Sequence, residues 1–258
     1  MSDLARRWCR AVTALKDDAL RAAYVRSELA RARPGDAAVA LDDLAGRAEQ
    51  ANPQAREALA AAMPSLTDPA LAVLIDELRA LAAVKALLPL ARLLRRRSEP
   101  SGVPGAPPPD ERPVQVSNRG RTLTLGERKW MARKPSRNVL DRLLRDPHPQ
   151  VIRMVLKNPL LTEDDVVRLA ARRPAYPDIV IEIARSPEWI KRSRVRMAIV
   201  QNPGSPPEVA VPLVRLLIRP ELEQVVVATD VLPIVRAAAT ELLERRPPVP
   251  ARHRGPLQ

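Results

Sequence analysis

Phenylalanine is absent from this sequence, tyrosine occurs twice and tryptophan three times. Sandwiches and barrels draw their cores from aromatic and β-branched strand residues, so this scarcity points to packed helices with an aliphatic core. Histidine is limited to His148 and His253, which leaves a His-based triad or metal site almost nothing to draw on. The single cysteine, Cys9, excludes a disulfide framework, a Cys-rich zinc site and a protein-ligated iron–sulfur cluster, and makes the reduced cytoplasm the expected location. There is no Walker A loop, no G-x-G-x-x-G, no H-E-x-x-H and no G-x-S-x-G. The expectation is therefore no metal, no cofactor, and a reading that leans away from an enzyme. Long apolar runs are missing too. The first 18 residues carry Asp3, Asp17 and Asp18 without an uninterrupted apolar segment, so no secretory leader is expected. The most apolar stretch, 70–94, is interrupted by Asp76, Glu77, Arg79 and Lys85, a poor membrane span.

The 258 residues are 46% apolar and 28% charged, within the globular range. A Pro-, Gly- and Ser-rich run from Ser98 to Arg112 breaks all helical periodicity and reads as a semi-rigid linker. It divides the chain into an N-terminal helical domain (1–97), a linker (98–122), a helical domain (123–247) and a Pro-rich tail (248–258). Two domains of these sizes are each large enough to fold alone.

In the first domain, Leu4, Trp8, Val12 and Leu15 form one apolar stripe of a first helix. Breaks follow at Pro34-Gly35 and Asn52-Pro53. Asp68-Pro69 should start a helix carrying Leu71 to Leu88, which Pro89 should kink or end. Arg95, Arg96 and Arg97 read as a solvated helix C-terminus opposing the macrodipole.

Beyond the linker, short helices are punctuated by Pro135, Pro147, Pro159, Pro174, Pro187 and Pro203. Cap signals keep step with them: Thr124 with Glu127, Thr162 with Asp165, Ser205 with Glu208, and Ser186 before Pro187. The segment VIRMVLKNPLLTEDDVVRLA from Val151 aligns without gaps on VRMAIVQNPGSPPEVAVPLV from Val195, superposing Asn158-Pro159 on Asn202-Pro203. Each Asn-Pro ends a helix, because the residue before proline is pushed out of the helical region. Self-similarity of this kind predicts helix pairs that bury their apolar faces against neighbouring units.

This pattern resembles the leucine-rich repeat variant, a short helical repeat related in architecture to HEAT repeats, over about 120 residues from Leu125 to Arg246. Composition predicts an all-α fold, and the resemblance implies that the part after the small N-terminal helical domain is a short right-handed α-solenoid that binds another macromolecule. Some members carry a cysteine-rich cluster-binding segment ahead of the repeats; with Cys9 alone, this chain departs from them there.

Charge is the feature that invites a function. The net charge is +13, of which +7 falls on 123–247. One cluster comprises Arg128, Lys129, Arg133, Lys134, Arg137, Arg142 and Arg145, with only Asp141 between them; a second comprises Arg185, Lys191, Arg192, Arg194 and Arg196, with only Glu188. On one side of a solenoid, the two clusters would form a positive groove for an acidic protein segment, nucleic acid or an anionic lipid surface. Trp130 and Trp189 lie within the clusters and read as packing residues at helix starts, with base stacking as the alternative. His148 reads as an exposed turn residue, and Glu163, Asp164 and Asp165 as first-turn acids. The excess of 37 arginines over six lysines also fits a biased coding composition, which weakens charge as a sign of function. The leading expectation is a non-enzymatic scaffold that binds a protein partner through its basic surface. Nucleic-acid binding, with or without base excision, is the alternative, and peripheral membrane attachment the third.

Overall fold

The computed structural model describes residues 1–95, 108–112 and 122–246. The fold is all-α: sixteen α-helices and two short 3-10 turns, with no strand among the described residues. Arg96, Arg97, most of the proposed linker, the Pro-rich tail and His253 lie outside the described residues.

The N-terminal unit comprises α1 (Asp3–Ala14), α2 (Asp18–Arg31), α3 (Pro34–Glu49), α4 (Pro53–Leu66), α5 (Ala72–Val84) and α6 (Leu88–Leu93). Its centre is α3, which contacts α1, α4, α5 and α6. Seven of its apolar side chains, five of them alanines from Ala37 to Ala48, are fully enclosed. Small side chains let these helices approach closely, and Trp8, Leu41, Leu44 and Leu59 fill the space between them. Each fully buried leucine contributes on the order of 1.5–3 kcal/mol of transfer free energy. The shortage of glycine has a visible consequence. Ala51 after α3 and Ala86 after α5 take the left-handed conformation (φ 63° and 50°) that glycine normally supplies at helix ends.

Asp68 does cap a start, accepting from the Ala70 amide, but of a 3-10 turn (Pro69–Leu71) that precedes α5. Pro89 neither kinks nor ends α5. The break falls earlier, at Ala86, and Pro89 lies in the first turn of α6, where a missing amide hydrogen costs nothing.

The C-terminal unit comprises α7 (Leu125–Met131), α8 (Arg137–Leu143), α9 (Pro149–Val155), α10 (Glu163–Ala170), α11 (Pro177–Ala184), α12 (Pro187–Ile190), α13 (Ser193–Val200), α14 (Pro207–Val214), α15 (Arg219–Val227) and α16 (Pro233–Arg245). Helices α7, α9, α11, α14 and α16 pack in succession, and α10 packs on α13. Capping boxes form at Thr124–Glu127 and Thr162–Asp165 as the sequence suggests. Ser205 does not cap: its hydroxyl donates to the Ile199 carbonyl at 2.6 Å, and α14 begins after Pro206.

The two aligned segments make matching contacts. Asn158 Nδ2 donates to the carbonyls of Ala132 and Lys134 at 2.8 and 3.0 Å, and its Oδ1 accepts from the Leu160 amide. Asn202 Nδ2 donates to Ala170 and Arg172 at 2.7 and 3.1 Å, and its Oδ1 accepts from the Gly204 amide. Each buried asparagine therefore ties the turn after its own helix to the end of an earlier one. Gly204 replaces Leu160 for a steric reason: a Cβ there would sit 2.7 Å from the Ala175 Cβ.

The linker reading is corrected in part. Residues Pro109–Glu111 form a 3-10 turn, and Arg112 is buried on the C-terminal unit, its Nη1 donating to Pro147 O at 2.8 Å and Asp178 Oδ2 at 2.9 Å while its guanidinium lies over the Tyr176 ring. This docking also corrects His148. It is buried, with Nδ1 accepting from the Gln150 amide and Nε2 lying 3.1 Å from Asp110 Oδ1.

The two units share one continuous apolar core, and α12 packs on α2 and α4. No single helix among the described residues is long and apolar enough to cross a membrane; Pro53–Leu66 with Pro69–Val84 has the length only as a pair bent by 93°.

Candidate functional site

Local sequence suggested that the basic clusters lack acidic partners. The fold supplies them for several members, mostly from positions remote in sequence. Arg128 is buried, with Nη1 donating to both carboxylate oxygens of Asp146 at 2.6 and 2.8 Å. Arg192 lies 3.7 Å from Glu163, and Arg194 lies 2.6 Å from Asp164. Arg185 donates to the Thr67 carbonyl and to Glu182, and Lys191 pairs with Asp18. Lys129 reaches Gln150 at 3.0 Å, and Arg133 contacts the Met154 sulfur. Arg142 is half-buried in the last turn of α8.

What remains of the first cluster gathers at a cleft of about 650 Å³ between α8 and α10, lined by Arg137, Asp141, Leu144, Arg145, Asp165, Arg168, Leu169 and Arg172. Asp165 organises this cleft. Its fully enclosed carboxylate accepts from Arg137 Nη1 and Nη2 at 2.6 and 2.7 Å, from Arg168 at 2.5 Å, and from the Thr162 hydroxyl and amide of its own capping box. The Arg137 bonds hold this carboxyl well below the usual carboxylate range, and Asp165 in turn raises the Arg137 guanidinium above its ordinary value. Arg145 has no acidic partner among the described residues, and its carbonyl accepts from Arg172 Nη1 at 3.1 Å. Four guanidiniums against two carboxylates leave the cleft with a surplus of positive charge, carried by α8, α10 and the turns that follow them.

No family model, curated protein or solved structure matches the chain.

The two basic clusters do not line one cleft. Arg137 and Arg145 face the α8–α10 cleft, whereas Lys191 and Arg196 turn toward α2 and α4 and line another. The tryptophans also part company. Trp189 is buried and donates from Nε1 to the Leu156 carbonyl at 2.8 Å, as a packing residue should. Trp130 is 57% exposed, with Lys134 Nζ 3.6 Å from its ring centroid, so the packing reading fails there. Arg168 and Arg172 escaped the sequence reading. Arg168 is on α10 and Arg172 in the turn after it, as Arg137 and Asp141 are on α8 and Arg145 in the turn after that helix. Glu163, Asp164 and Asp165 act as arginine partners and cap, not as a carboxylate pair for acid–base work. No group of three or more His, Cys, Asp or Glu among the described residues is arranged to hold a metal. Cys9 is buried, and burial pushes its thiol up.

Proposed function

We propose that this protein is a helical scaffold, of the leucine-rich repeat variant or HEAT-like solenoid kind in its C-terminal unit, that binds an acidic protein segment. The observation carrying this reading is the α8–α10 cleft, where Arg145 and Arg172 lie beside an arginine–carboxylate lattice that is already internally paired. Asp165 holds Arg137 and Arg168, and the Arg145 carbonyl holds Arg172, so these guanidinium forks need little ordering to meet a peptide carboxylate, while Arg145 adds a charge unpaired among the described residues. The matching Asn158 and Asn202 contacts support the repeat reading. With one thiol, itself buried, the reading places the protein in a reducing compartment such as the cytoplasm.

The test is fluorescence anisotropy with a labelled Asp/Glu-rich peptide. Changing Arg145 and Arg172 to Glu should weaken binding by about a hundredfold or more, since each charge-assisted contact is worth roughly 1.5–3 kcal/mol. Changing Arg192 and Arg194, already paired with Glu163 and Asp164, should have little effect. Equal effects from both pairs would remove the cleft from consideration.

A second reading, nucleic-acid binding, rests on Trp130, exposed beside Lys134 and able to stack on a base. It requires duplex affinity to fall with salt at a log–log slope of roughly −5 for about six phosphate contacts. A flat salt response would exclude it.

A further inference from the structure

We propose that the cleft between α2, α4 and the α12–α13 turn is a binding site for a phosphate group, taken up as inorganic phosphate or as a compact phosphate monoester. The cleft holds about 360 Å³ and is lined by four cations, Arg21, Arg56, Lys191 and Arg196, against two acids, Asp18 and Glu57.

The pairing within it is uneven. Asp18 pairs with Lys191 and lies 3.6 Å from Arg21, and Glu57 lies 2.8 Å from Arg21. These groups largely neutralise one another, and no carboxylate lies within ion-pair distance of Arg56 or Arg196 among the described residues. Both are half-buried and bonded only to main-chain carbonyls: Arg56 to Leu216, Arg196 to Ile190 and Lys191. In each, Nε is buried without an acceptor. Glu221 acts on both from a distance, but it is engaged with the Ile218 amide at 2.7 Å and reaches neither guanidinium. Burial lowers the proton affinity of each, and the charge on Arg56 lowers that of Arg196 further.

Two partly desolvated guanidiniums that repel one another are unfavourable unless an anion stands between them. A doubly charged tetrahedral oxyanion supplies the compensation, because the planar forks of arginine match phosphate oxygens. The volume lies at the small end for ligand sites, and Pro53, Ala60, Ala61, Pro187 and Leu216 give it apolar walls, which suits a compact ligand. Arg56 belongs to the N-terminal unit and Arg196 to the C-terminal unit, so a bound anion would join the two. This site is separate from the α8–α10 cleft and does not depend on what that cleft binds.

The experiment is calorimetric titration of the full chain with sodium phosphate, paralleled by thermal melts in phosphate and in sodium chloride of equal ionic strength. Saturable one-to-one binding and a melting point that rises in phosphate but not in chloride are expected, because a ligand bound only by the folded state stabilises it by mass action. Arg196→Gln should weaken phosphate binding about tenfold or more, the effect of one charge-assisted contact. Glu57→Gln removes an acid from the cleft and should tighten binding several-fold, an outcome that misfolding cannot imitate. Glycerol 3-phosphate distinguishes the sources: tighter binding than inorganic phosphate assigns the site to an ester, equal or weaker binding to free phosphate. Equal responses to phosphate and chloride, or Glu57→Gln binding no more tightly than the unaltered chain, would overturn the proposal.

Discussion

Loss of the Glu49 charge should cost the fold heavily. It is the last residue of α3, its side chain is 7% exposed, and it lies where the two units meet. Arg92 grips its carboxylate through Nε at 3.0 Å and Nη2 at 2.5 Å, and Arg215 Nε and Arg245 Nη1 stand 3.6 and 3.9 Å away. Its carbonyl accepts from Arg246 Nε at 3.2 Å. Arg215 is almost wholly enclosed, and burial holds its guanidinium down to about 10 while Glu49 opposes that shift. Glu49→Gln keeps the shape and removes the charge, leaving Glu241 as the remaining acid that acts on Arg215. Removing one partner of a buried ion pair costs about 3–5 kcal/mol, because the other charge stays buried and uncompensated. For a chain of this size each kcal/mol lowers the melting point by roughly 2–4 °C, so a fall of about 6–20 °C is expected. Far-UV circular dichroism melts of Glu49→Gln, with the exposed Glu223→Gln as control, measure it. The control loses only an i,i+4 surface pair with Arg219, worth about 0.3–0.5 kcal/mol. Adding Arg215→Met to Glu49→Gln should recover part of the loss by removing the stranded cation. A Glu49→Gln melt within roughly 2 °C of the unaltered protein would refute the reasoning.

The two buried asparagines offer a paired check. Asn158→Ala and Asn202→Ala should each lower stability by about 1–3 kcal/mol in urea unfolding, since each leaves two carbonyls without their donor; a large loss at one site and none at the other would break their equivalence. Asp165 sets an acid limit. Its folded-state pKa is depressed, so its contribution is complete above the ordinary aspartate value of about 4 and is lost as pH falls below it. Urea midpoints across that range should fall with acidification in the unaltered chain and show a shallower dependence in Asp165→Asn; parallel curves would show that Asp165 is not a main source of the acid response.

Local signals were legible because their partners lie within a turn. Thr124 with Glu127 and Thr162 with Asp165 declare helix starts through bonds three residues long. The Asn-Pro pairs mark where helices end, and the scarcity of aromatics points to an aliphatic, helical core. Ser205 misled because the same hydroxyl that could cap a helix found the Ile199 carbonyl instead. The basic clusters were misjudged for a different reason: their partners are remote in sequence. Lys191 meets Asp18 at a separation of 173 residues and Arg185 meets the Thr67 carbonyl at 118, separations that no local charge pattern encodes. His148 was misplaced because a segment rich in proline, which reads as a spacer, docks through Asp110 and Arg112. Trp130 and Trp189 share a similar charged setting, yet only Trp189 has a neighbouring carbonyl to receive its Nε1.

Stacked helical units present an apolar face at each end, and such faces can add further units or join one molecule to the next. Here the C-terminal end is already occupied. Helix α16 packs on α14 and α15, Glu241 receives Arg95, and Arg246 is buried beneath α3, donating to the carbonyls of Glu49, Leu217 and Arg215. Because α16, the last described helix, is tied to the N-terminal unit, that face is not free to join a neighbouring molecule, and head-to-tail fibre growth needs two free faces.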